Sequence, residues 1–338
     1  MGQFTLYTQT ISRFGGTLSQ LMLQMTALHE DNLFLGNLFR FLALEPIVEA
    51  PRCSALQHPI RPHPSITFQD VSFRYPNTDR DILHQVSFTI DPGESVAVVG
   101  HNGAGKSTIV KLLTGLYEPT DGCILLDGID IRQLDRATLR SYMSFVLQDF
   151  VIYAFSAYDN IAMGHLAEQE NQERVRAAAR DSNLETVIEA LPQRYETIIA
   201  RFLDTGVELS GGQRQSIAVA RALMRQAPIL IMDEPSAALD IYKERAFFEQ
   251  LLTQRPDSQT VIFISHRFST VRRADRILVL DNGALVENGT HETLLHQRGR
   301  YAEMFQLQVE MYGIEQDQKT TGDTTTMPVA VASSIEEV

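Results

Sequence analysis

The chain has 338 residues, 44% of them apolar, which is ample for the core of one large domain or two. Its formal net charge is −13, and no basic run is longer than pairs such as Arg272-Arg273, which argues against nucleic acid as the main partner. Two cysteines, Cys53 and Cys123, have no spaced partners, so neither a disulfide framework nor a zinc pattern is read and a reducing compartment is expected.

The first residues lack the charged and apolar regions of a signal peptide, and no window of about 20 residues is apolar enough for a membrane span. From Thr17 to Leu44, the residues Leu18, Leu21, Met25, Leu28, Leu35, Phe39 and Leu42 recur at spacings of three, four or seven. That periodicity predicts one apolar stripe on a long helix. Pro46, Pro51, Pro59, Pro62 and Pro64 follow and read as a stiff linker, so the helix is expected to pack on something else. Cys53, His58 and His63 lie in this linker without a fourth ligand, and a metal site is not read there. Between Ile66 and Gln308, the short apolar runs VAVVG, CILLD, SFVLQ, PILIMDE, TVIFISH and RILVLDNG alternate with helical patterns. They predict strands buried on both faces of an α/β sheet, with their end residues pointing at the crevice where such sheets bind ligands. The Thr-rich acidic stretch from Gly313 to Val338 is expected to be a disordered tail. The expected division is thus 1–50, 51–65, 66–310 and 311–338.

VAVVGHNGAGKST reads as strand, glycine-rich loop and helix. Gly100, Gly103 and Gly105 allow a tight bend, so that the loop Gly100, His101, Asn102, Gly103, Ala104, Gly105 brings its N–H groups to phosphate oxygens, with Thr108 in the helix behind. The helix begins near Lys106 and points its positive end at the same place. Lys106 would reach the β- and γ-phosphates, and the Ser107 hydroxyl would bind Mg²⁺. ILIMDEP delivers Asp233 and Glu234 to the sheet edge, the first to hold Mg²⁺, the second to orient and deprotonate a water. His266, closing TVIFISH, is placed to sense a γ-phosphate, and Gln148, closing SFVLQ, to touch metal and water. Tyr75 is a candidate for stacking on adenine.

A second glycine-rich helix start, LSGGQRQSIAVARALM, begins at Leu209. Taken in order, Tyr75, GHNGAGKST, Gln148, LSGGQ, ILIMDEP, SAALD and His266 closely resemble the ATP-binding domain of ABC transporters, over roughly Ile66 to Gln308. The resemblance implies a P-loop NTPase fold with a RecA-like core sheet, a small antiparallel β subdomain and a helical signature subdomain, preceded here by a long helix. It implies ATP and Mg²⁺ as ligands and a D-loop ending at Asp240. It also implies that Leu209, Ser210, Gly211, Gly212 and Gln213 contact ATP held by a second subunit, in a head-to-tail C₂ dimer with two composite sites. The segment before the linker resembles the end of the last transmembrane helix of an exporter-type ABC protein and its cytoplasmic extension. A half-transporter beginning inside that helix is expected, working at the cytoplasmic face of the inner membrane with a transmembrane domain as partner. Two alternatives are a truncated remnant or regulatory module without transport, and an ABC ATPase acting on nucleic acid or the ribosome. Ser216 departs from the basic residue often found at that position in exporters, and ARFLDTGVELSGG lacks the common acidic GE of the loop that contacts the membrane domain.

Overall fold

Five of the six apolar runs become adjacent strands of one twisted sheet. The computed structural model describes residues 2–44, 60–200, 206–235 and 241–312, and it divides into two compact units, Met1–Arg52 and Cys53–Val338. In the second unit, β3 (Ser95–Gly100), β6 (Met143–Val146), β7 (Ile229–Asp233), β8 (Thr260–Ile264) and β9 (Arg276–Asp281) run parallel, and β10 (Ala284–Gly289) joins antiparallel at one edge. The strand order is β10-β9-β3-β8-β7-β6. Every residue of β3, β7 and β8 is buried. Alternate side chains serve opposite faces, as the period of two requires. Val96, Val98, Ile229 and Ile231 enter one core, while Ala97, Val99, Leu230 and Met232 enter the other.

The exception is CILLD, which lies in β4 (Asp121–Leu126) of a separate antiparallel sheet ordered β2-β1-β4-β5. With β1 (Ile66–Arg74), β2 (Asp81–Ile90) and β5 (Ile129–Asp130), it covers the first core with one face only. Ile124 and Leu126 are buried, whereas Cys123 and Leu125 are half-buried, so the expected double burial is corrected to the alternation of a one-sided sheet.

The helices of this unit are α2 (Lys106–Leu113), α3 (Arg136–Ser141), α4 (Ala157–Ala162), α5 (Gln172–Asp181), α6 (Glu185–Glu189), α7 (Gly211–Arg225), α8 (Ile241–Gln254), α9 (Phe268–Val271), α10 (His291–Gln297) and α11 (Arg300–Tyr312). Helix α7 serves two cores. Ala218 and Ala222 pack toward the sheet, and Ile217, Ala220 and Met224 pack toward α4, α5 and α6. Between them, Arg221 donates to the carbonyls of Asn160 (2.9 Å) and Val151 (2.9 Å) and to Asn160 Oδ1 (3.0 Å). Asn160 is fully buried and in turn donates to the carbonyls of Tyr153 and Ser156. A guanidinium with neutral acceptors thereby fixes the segment that follows β6 to the helix that follows Leu209.

Among its described residues the first unit is one helix, α1 (Gly2–Leu42), which starts earlier than the periodicity predicts. Thr10, Thr17 and Thr26 return their hydroxyls to the carbonyls of Leu6, Arg13 and Met22, so these polar residues continue the helix rather than break it. The apolar residues are also not confined to one stripe. At about 100° per residue, Leu23, Phe34 and Phe41 fall opposite Leu18 and Met25. No helix among the described residues is long and apolar enough to cross a membrane. The linker residues Cys53 and His58 and the tail beyond Tyr312 lie outside the described residues.

Replacing Arg221 by Ala removes three hydrogen bonds, two of them part-buried at Asn160, and should cost about 2 kcal/mol. Urea unfolding checks this: a midpoint within error of the parent would mean the α7–Asn160 tie is not holding the helical layer.

Candidate functional site

The chain leaves β3 at Gly100 with φ 152°, where a Cβ would stand 2.2 Å from the Leu280 carbonyl oxygen, so the close approach of β9 demands glycine. Gly105 takes φ 99° as the residue before α2, and Lys106 is the first residue of that helix. Lys106 is buried, and its Nζ donates to the carbonyls of Gly100 (2.8 Å) and His101 (2.9 Å). Burial holds this ammonium below its ordinary pKa, opposed by the charges of Glu234 and Asp233. His101, Asn102 and Gly103 form the exposed crest of the loop, while Ala104 and Thr108 are buried behind it. Tyr75 stands against the same helix, with its hydroxyl 3.1 Å from Thr108 Oγ1 and its ring edge-on to Tyr117 at 5.2 Å.

Strand β7 carries Asp233 to the carboxyl edge beside this loop. The residue is 5% exposed, and its Oδ1 is buried without a hydrogen-bond partner among the described residues. Burial holds its carboxyl above the usual range; the Ser107 hydroxyl bonded to it opposes that shift, the Glu234 charge reinforces it and Lys106 opposes it. A hydroxyl and a carboxylate with an orphaned oxygen suit a hard cation that shares its remaining ligands with phosphates.

Glu234 adopts φ 52°, a left-handed conformation costly for a residue with a Cβ. Two hydrogen bonds fix its peptide: its N–H donates to Ile264 O (3.1 Å), and its carbonyl accepts from Gln215 Nε2 (2.9 Å). The turn brings Glu234 Oε1 within 2.6 Å of His266 Nε2, at the end of the neighbouring β8. Gln148 sits exposed in the bend beyond β6, at the same edge of the sheet. Tyr75, Gly100 to Thr108, Asp233, Glu234 and His266 are therefore gathered, with Gln148 on the rim.

Leu209, Ser210, Gly211, Gly212 and Gln213 belong to another element. Ser210 caps α7, accepting from Gln213 N (3.3 Å), while Gln213 Oε1 accepts from Ser210 N (2.9 Å). Leu209 is buried, but Ser210 and Gly211 are exposed. Helix α7 packs on β6, α4 and α5, whereas α2 packs on β3 and β7. The two glycine-rich helix starts thus stand on different supports within one chain. Asp240 lies outside the described residues. Sequence reading passes over Gln215, although a glutamine on the buried face of α7 is itself a signal that a polar partner waits inside.

Residues 83–237 match the family model described as ABC transporter. The ATP-dependent lipid A-core flippase of Paraburkholderia xenovorans is 43% identical over 74% of this chain and 41% of the relative. That of Chromohalobacter salexigens is 36% identical over 91% of this chain and 52% of the relative. The mitochondrial potassium channel ATP-binding subunit of Pongo abelii is 38% identical over 90% and 41%. Among solved structures, a bacterial Atm1-family ABC exporter with ATP bound is similar with a TM-score of 0.71 and 37% identity, over 83% of this chain and 47% of that one. The chain spans about half the length of the relatives it matches. With the loop of Gly100 to Thr108, the acids ending β7 and the capped glycines opening α7, these likenesses place the chain in the ABC transporter family, as an ATP-binding domain of the exporter type.

Proposed function

We propose that the chain hydrolyses ATP to drive export through a membrane domain, working as a head-to-tail pair. The observation that carries this reading is the separation of the two cradles: Lys106, Asp233, Glu234 and His266 are gathered, while Ser210 and Gly211 stand exposed on another support. One chain holds the triphosphate, and the α7 start of a second copy closes over its far end.

Each residue then has a task. The loop N–H groups and α2 receive the phosphates, and Lys106 exchanges two carbonyls for phosphate oxygens. Tyr75 offers its ring to the adenine beside Thr108. Glu234 orients the attacking water and takes its proton, and His266 holds that carboxylate in place and reads the γ-phosphate. When bound, Mg²⁺ neutralises phosphate charge, and Ser107, Asp233 and Gln148 would hold it.

Residues 1–50 are read as the end of a membrane helix and its extension, with 51–65 as the linker. Residues 66–338 are 273 of the 338. A match over 91% of the chain therefore reaches upstream of the ATP-binding domain into this segment. The partners proposed are a second ATP-binding domain and a transmembrane domain, with the site on the cytoplasmic face of the membrane. The names of the flippases suggest a lipid cargo, chosen by the membrane domain.

Replacing Glu234 by Gln should lower turnover by about 10²-fold or more while ATP still drives dimers, read by phosphate release and light scattering. Undiminished turnover would remove Glu234 as the base. For Asp233, the raised carboxyl pKa means that the ionised form is penalised in the folded chain at all pH above that value, and the penalty fades as pH falls through it. Asp233→Asn should accordingly raise the melting temperature of the nucleotide-free protein by a few degrees and erase the Mg²⁺ dependence of ATP binding. A lowered melting temperature would contradict the charge argument.

A further inference from the structure

We propose that Gln308, on α11, is a positioning residue for hydrolysis, clamping the backbone around Arg267 and so setting where His266 meets Glu234. The inference rests on the ATPase reading above and concerns a residue outside both the matched family segment and the motifs read from sequence.

The segment leaving β8 is held by several side chains. Gln308 Nε2 donates to the His266 carbonyl (2.7 Å), and Gln308 Oε1 accepts from the Phe268 N–H (2.8 Å). Both ends of one planar amide are thus used on the two peptides that flank Arg267. Ser265 Oγ accepts from the Arg267 N–H (3.1 Å). The Arg267 guanidinium is drawn the other way, into an ion pair with the fully buried Glu244, which also accepts from Thr270 Oγ1 (3.1 Å). The freedom left is that of the His266 side chain, and its Nε2 lies 2.6 Å from Glu234 Oε1.

The clamp has a firm base. Tyr301 of α11 is fully buried, its N–H donates to Glu287 Oε2 (3.0 Å), and its hydroxyl lies 2.7 Å from His291 Nδ1. Phe268 packs edge-on against Tyr301 (5.2 Å) and Phe305 (5.6 Å). Helix α11 therefore moves with Phe268, and a displacement of the helix is passed to the His266 peptide through Gln308. Misplacing a catalytic group by a small distance costs rate rather than substrate binding, so the clamp belongs to the chemical step.

The test uses the full chain. Gln308→Met keeps the length of the side chain but removes both hydrogen bonds, and should lower kcat about tenfold while KM and ATP affinity stay within about twofold. Amide exchange at Phe268 should quicken, with exchange along α11 unchanged. Gln308→Glu retains an acceptor for Phe268 but cannot donate to His266, so it should lose kcat while Phe268 remains protected. In a His266→Ala background, Gln308→Met should have no further effect, since both changes remove the same contribution. Parental kcat in Gln308→Met, a KM that rises in parallel, or full additivity with His266→Ala would overturn the proposal. A parent chain that hydrolyses no ATP would instead overturn the ATPase reading, and unchanged exchange at Phe268 in Gln308→Met would then overturn the clamp independently.

Discussion

A buried ammonium bonded, among the described residues, to two backbone carbonyls is the constraint around which this domain is organised. Lys106 has given up water for Gly100 O and His101 O, and burial lowers its pKa. A short distance away, Asp233 has given up water with one oxygen unpaired among the described residues, and burial raises its pKa. Each group is held against its charged form, and each is relieved by what it lacks: an anion for the lysine, a cation for the carboxylate. A site with opposite deficits side by side suits a metal-bound polyphosphate. The doubly buried strands exist to place these groups, because only strand ends can carry charges to the rim of an apolar sheet.

Helix α7 joins this site to the rest of the molecule. Its start presents Ser210 and Gly211 outward, its first buried turn sends Gln215 to the Glu234 carbonyl, and its middle holds the segment after β6 through Arg221. A contact made at the exposed start is therefore felt at two places inside the same chain. In the proposed head-to-tail pair, the start of α7 would touch the partner's nucleotide while Gln215 of that helix holds its own chain's Glu234. The two composite sites then share a rigid element, a physical route by which one can sense the other.

Much of this was legible in the residues. The phosphate loop could be read because its glycines, lysine and serine act through fixed spacing along one stretch of chain. Double burial made β3, β7, β8 and β9 legible as apolar runs, but the same signal misplaced CILLD, since composition does not reveal how many faces a sheet covers. The antiparallel strands β1 and β2 alternate and leave no apolar run to notice. On α1, the apolar periodicity read from Thr17 to Leu44 carried no sign of the helix's earlier start at Gly2. Gln215, Arg221 and Gln308 were not legible in their roles. Their partners lie 19, 61 and 42 residues away in sequence, and a glutamine or arginine inside a helix carries no mark of what it will meet.

The central claim is that a working site takes Lys106 from one copy and Ser210 from another, and mixing two inactive variants tests it directly. Lys106→Ala destroys the first half in every site of its own dimer, and Ser210→Arg destroys the second half in every site of its own. In a mixed dimer, one site pairs the intact Lys106 of the Ser210→Arg chain with the intact Ser210 of the Lys106→Ala chain. An equimolar mixture should therefore recover ATP hydrolysis to about a quarter of the parental rate, since about half the dimers are mixed and half their sites are whole. A mixture no more active than its separate components would contradict the shared site and return both cradles to a single chain.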